Sequence, residues 1–246
     1  DDEQKDPRAL SNALAHFHRY GSESRYLKRP SDADLNASTV ASLTKTLLEA
    51  FEVNRTILYY GPRSAEEINT TIQNGFLGEN PTKDTPAIVP DRALSPDANQ
   101  VFFLQKEMAQ AQVRLEFAAG TYDETKAPLG QLYNEYFGGG MAGLVFQELR
   151  EARALAYSAW AHFFTPSRPQ DENILVGAIG CQADKTIEAV NAFIELLDAM
   201  PINQTRWDSA HAAILSAYRT NPISSRSIPG FAYDFNALGL EQDPRS

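Results

Sequence analysis

The sequence predicts an α+β fold, an antiparallel sheet covered on one face by helices. Three observations predict it. From residue 100 onward the patterns run strand, strand, helix, helix, strand, strand, helix, helix. One strand pattern, Gln110–Ala118, alternates Ala111, Val113, Leu115 and Phe117 with Gln112, Arg114 and Glu116, so a single face is apolar. The strict β-α-β alternation of a doubly wound parallel sheet is absent.

The elements follow in order. Leu35–Phe51 carries Val40, Leu43, Leu47 and Phe51 at helical spacing. Thr56–Tyr60 is β-branched and aromatic, which predicts a short buried strand ended by Gly61-Pro62. Ser64 with Glu67 three residues on is a capping-box signature for a helix running to about Gly75. Residues 79–99 hold Pro81, Pro86, Pro90 and Pro96 and read as an extended linker. The sequence thus divides into residues 1–78, the end of a preceding α+β domain, then the linker, then a domain over 100–246. In that domain Val101–Gln105 and Gln110–Ala118 read as strands. Leu129, Leu132, Tyr133, Tyr136 and Phe137 form a helical stripe broken by Gly138-Gly139-Gly140. A helix over Ala142–Ala152 precedes strands at Ala156–Phe164 and Asn173–Cys181. Helices at Thr186–Met200 and Thr205–Tyr218 come next, and Ile228–Leu240 reads as one more.

Composition excludes several functions. The 246 residues carry a net charge of −10, the wrong sign for neutralising phosphates, so no nucleic-acid partner is expected. No run of about 18 apolar residues occurs, so no membrane span is expected. Cys181 is the sole cysteine, and its apolar neighbours predict a buried, inert thiol. The first residues lack the features of a signal peptide. With no initiator Met either, the chain reads as a segment of something longer.

The search for chemistry begins with metal. His16, His18, His162 and His211 are the only histidines, and neither HExxH nor HxxEH occurs, so no metal site is expected within the chain. There is no Gly-X-Ser-X-Gly elbow and no phosphate-binding Gly/Lys loop. The triple glycine reads as a tight turn allowing close backbone approach or positive φ. Arg150 and Tyr157 remain, seven positions apart across a helix-to-strand turn. A guanidinium offers planar donors to a peptide carbonyl or carboxylate. A phenol can donate to a developing oxyanion. On spacing alone, a solvated arginine and a half-buried strand tyrosine explain the same residues.

The run NEYFGGGMAGLVFQELREARALAY resembles the glycine-turn and Arg/Tyr segment of the pitrilysin/insulinase-type, or inverted HxxEH, zinc metallopeptidases. Asn134, Gly138, Gly139, Gly140, Met141, Phe146, Gln147, Glu148, Arg150, Glu151, Leu155, Ala156 and Tyr157 match that pattern, while the usual Gly before Leu155 is Ala154. TILYYGPRSAEEINTTIQNGF and the strand ending GCQADK are similar to flanking units, so the likeness covers about residues 30–240. The resemblance implies a second-half segment of a clamshell enzyme that closes on an unfolded peptide. It implies that Tyr157 hydrogen-bonds the scissile carbonyl and that Arg150 anchors substrate. Zinc would be held outside this chain, in the zinc-bearing half or a partner subunit, and the substrate would add as a strand to a sheet edge. With no HxxEH, the segment alone is expected to be inactive. A non-catalytic scaffold or partner subunit of the same fold is the rival reading. The family likeness also suggests the bacterial cell envelope or periplasm.

Overall fold

The computed structural model describes residues 5–75, 84 and 98–241. The chain forms two compact units. One comprises residues 1–27, 90–222 and 235–246, and the other residues 28–89 and 223–234. The segment 1–27 thus groups with the sheet-bearing unit rather than with the rest of residues 1–78. Most of the expected 79–99 linker lies outside the described residues.

In the first unit, α1 (Pro7–Tyr20) starts at Asp6, whose carboxylate accepts from Arg8 N–H, with proline in the first turn. Three strands follow: β1 (Gln110–Thr121), β2 (Ser158–Phe164) and β3 (Glu172–Gln182). They form one antiparallel sheet in the order β1-β3-β2, so the last strand in sequence is central. The register aligns Val113 with Ile179 and Ala159 on one face, and Arg114 with Ala178 and Trp160 on the other.

The apolar face carries the core. Between β1 and β2 the chain runs through α5 (Ala127–Tyr133), a wide π-helical turn at Asn134–Gly138, a short turn at Gly140–Ala142, α6 (Leu144–Phe146) and a second π-helical turn at Gln147–Ala152. After β3 come α7 (Thr186–Asp198) and α8 (Gln204–Thr220). Phe137, Val145, Leu149, Ile179, Cys181 and Phe193 are fully buried together. Tyr136 donates to Pro201 O at 2.6 Å and accepts from Asn203 N at 3.0 Å, which ties the loop between α7 and α8 to the first wide turn.

On the opposite face α1 is fastened to β1 by charge. Arg19 donates through two nitrogens to the Glu116 carboxylate at 2.6 and 2.7 Å, and Arg114 lies 3.1 Å from the same group. Glu116 is only 6% exposed at its side chain, so the pairing takes place largely out of water.

The second unit contains α2 (Asp32–Ala37), α3 (Val40–Ala50) and α4 (Ala65–Gln73). The helix expected over Leu35–Phe51 is therefore split at Ser38-Thr39, because Thr39 caps a new helix with Ser42. The Ser64/Glu67 capping box forms as expected, at 3.2 and 2.8 Å. The helix α9 (Ile228–Ala237) begins in this unit and ends in the first.

Two expected strands do not form. Thr56–Tyr60 joins no strand pair among the described residues, with Ile57, Leu58, Tyr59 and Tyr60 exposed. Val101–Gln105 is likewise unpaired and exposed. β-branched and aromatic composition records how well a segment would suit a sheet, whereas a strand also needs a partner edge. Among the described residues neither segment has one. No described helix is long and apolar enough to cross a membrane.

Candidate functional site

The site is assembled around the turn that ends the Leu144–Ala152 helical stretch. This stretch closes with wide hydrogen bonds: Arg153 N–H donates to Glu148 O at 3.1 Å and Leu155 N–H to Leu149 O at 2.9 Å. π-helical turns of this kind are uncommon and occur chiefly as single turns within helices. Ala154 then adopts φ 51°, a left-handed conformation that side-chain-bearing residues avoid. The chain reverses there into β2.

Tyr157 stands just ahead of β2 rather than opening it. Its N–H donates to Gly180 O at 2.8 Å, which fixes its backbone to the central strand. The residue is 52% exposed, and its hydroxyl accepts from the Gln182 amide at 3.1 Å. Arg150 also faces solvent. Its guanidinium lies 4.7 Å from the centre of the Phe146 ring and 3.6 Å from the Glu151 carboxylate. The Glu151 pairing joins sequence neighbours. It is long and exposed, and contributes little. No hydrogen bond, ion pair or ring contact links Arg150 to Tyr157 among the described residues. Neither is sealed in the core.

In the triple glycine, each glycine is needed for its own reason. A Cβ on Gly138 would overlap the carbonyl oxygen of Ala161 in β2. One on Gly139 would lie 2.5 Å from Glu135 O, and Gly140 has φ 56°. Gln147 closes the turn by donating to Met141 O at 2.6 Å. Asn134 spans the outward edge of β2: it accepts from Phe163 N–H at 2.6 Å and donates to Phe163 O at 3.0 Å. The β2 edge at Ala161–Phe163 is therefore occupied, and strand addition cannot take place there. The sequence resemblance named Asn134 and the glycines but gave no hint that they cover a strand margin.

The residues present do not fit a zinc ion. No group of three or more His, Cys, Asp or Glu side chains gathers among the described residues. His16 is bonded to Ser24, and His162 lies between Asn134 and Phe164. Partial burial lowers the His162 pKa. Burial pushes the Cys181 thiol up, which suits an inert core group.

A family profile described as the peptidase M16 inactive domain matches residues 52–214. No curated protein sequence matches. Among solved structures, a peptidase M16 inactive domain from Pseudomonas fluorescens superposes with TM-score 0.66 at 17% identity, over 97% of this chain and 57% of that one. A conserved protein from Enterococcus faecalis V583 superposes with TM-score 0.75 at 17% identity, over 99% and 57%. A protease from Helicobacter pylori gives 0.57 at 16%, over 85% and 51%. The chain thus spans little more than half the length of these relatives, and identities this low establish the fold alone. With the profile match covering most of the sequence, the chain belongs to the M16, pitrilysin-type peptidase family, as a segment of its inactive domain.

Proposed function

We propose that this segment binds and orients a peptide for a zinc metalloendopeptidase whose HxxEH site lies outside it, in the zinc-bearing half or a partner subunit. One observation carries the reading: Tyr157 is fixed at its backbone and at its hydroxyl oxygen, yet its ring is half exposed. A phenol anchored through its backbone and left open is suited to donate a hydrogen bond to a scissile carbonyl and to the oxyanion that develops from it. Arg150, whose side chain is about half exposed, serves a backbone carbonyl or carboxylate of the same peptide. An unfolded peptide is the natural substrate, since both groups address the main chain rather than particular side chains. No step of the metal chemistry falls to residues of this chain. Proteases from Helicobacter pylori and Escherichia coli share the fold, and the latter, PqqL, is periplasmic. A bacterial envelope location accords with this reading.

Tyr157→Phe in the complete enzyme should lower kcat by roughly 10- to 1000-fold on a quenched fluorescent peptide, with little change in KM. Turnover equal to wild type would remove Tyr157 from the reaction. A second reading, a non-catalytic scaffold or partner subunit, has one observation in its favour. A chain of Complex III2 from Candida albicans shares the fold with TM-score 0.60 at 12% identity. On that reading Tyr157→Phe leaves assembly and every measured activity untouched.

A further inference from the structure

Tyr157 has a partner at which no motif pointed. Gln182 ends β3, and its side-chain amide donates to the Tyr157 hydroxyl oxygen at 3.1 Å. The register sets Gln182 opposite Gln110 and Gly180 opposite Gln112. Strand alternation therefore places Gln182 on the polar face of the sheet, away from the buried Val113 and Ile179 row. The same strand holds the Tyr157 backbone through Gly180 O at 2.8 Å. One strand end thus fixes this residue at both its main chain and its phenol oxygen.

A phenol has one hydrogen to give, and its oxygen can also accept. When an amide N–H already occupies the oxygen, the hydroxyl hydrogen turns elsewhere. The incoming donor also polarises the O–H bond and strengthens it as a donor. We propose that Gln182 is a positioning residue that aims the Tyr157 hydroxyl hydrogen at the substrate carbonyl. The inference rests on the reading that Tyr157 serves substrate, and it adds a chemical direction to that role. A glutamate at position 182 would reverse the arrangement. Its carboxylate accepts only, so it would take the phenol hydrogen for itself.

The test combines a spectroscopic and a kinetic measurement. A 3-fluorotyrosine placed at position 157 of the complete enzyme reports the bonding of its own hydroxyl by fluorine NMR, with Gln182→Leu and Gln182→Glu compared with wild type. Gln182 is exposed, so both variants should fold, and circular dichroism checks this. The resonance is expected to move in both variants, in opposite directions. In the complete enzyme, kcat should fall by about fivefold in Gln182→Leu and by about 10- to 100-fold in Gln182→Glu, with KM nearly constant. Adding Gln182→Glu to Tyr157→Phe should slow the enzyme no further. A resonance that stays in place in both variants overturns the contact and the inference with it. A resonance that moves while Gln182→Glu turns over like wild type, in an enzyme that Tyr157→Phe does slow, overturns the positioning role alone. Normal turnover in Tyr157→Phe overturns the underlying reading of Tyr157 instead.

Discussion

Ala154 carries a conformation that its side chain opposes. A left-handed backbone costs a residue with a Cβ about 1–2 kcal/mol, and glycine escapes most of that. Ala154→Gly should raise stability by about 1 kcal/mol, read as a higher urea midpoint, and a lower midpoint would mean the turn is not strained. Gly138 presents the opposite case, since an alanine there would drive into Ala161 O, and Gly138→Ala should lose about 3 kcal/mol or more in the same assay. Cys181 gives a pH signature. Its folded pKa is raised by burial, so its contribution to stability is complete below the unfolded thiol value of about 8.5 and declines as pH climbs beyond it. Ellman's reagent should label Cys181 only as fast as the protein unfolds, and prompt labelling of the native protein would contradict its burial. The sequence marked Ala154 as an odd residue and Cys181 as a core thiol. It could not mark Gln182, because that contact depends on how two strands are aligned.

Legibility at the level of elements follows the physics of each. Gln110–Ala118 was readable because its alternation repeats over several residues, and the capping box at Ser64 because its chemistry is wholly local. Thr56–Tyr60 and Val101–Gln105 misled, since composition alone cannot supply a neighbouring strand. The two wide turns escaped notice because each is a single turn, and the same residue types serve an α-helix equally well. The helix–sheet contact of α1 was also invisible, resting on Arg19 and Glu116, 97 residues apart. Removing that carboxylate leaves two partly buried guanidinium groups facing each other. Glu116→Ala should therefore lose about 3–5 kcal/mol, and hydrogen exchange should show the amides of Pro7–Tyr20 losing protection before those of β3.

Across the molecule, burial is unevenly distributed. The sheet-bearing unit contains the hydrophobic cluster of Phe137, Leu149 and Phe193, whereas α2, α3 and α4 have no buried residue. Amides of α3 should exchange much faster than those of β3, and equal protection in the two would mean that something covers Val40, Leu43 and Leu47. The fold class was readable from strands and helices that come in groups rather than in strict alternation, and the family from one glycine-rich run. The complete enzyme was not, because the chain spans 57% of the length of its Pseudomonas relative.

The grip of Asn134 on Phe163 has a consequence for colloidal behaviour. An open row of amides and carbonyls along a sheet is a template on which stray copies nucleate fibrils. By occupying both main-chain groups of one residue, a single carboxamide makes that margin unattractive to its own kind.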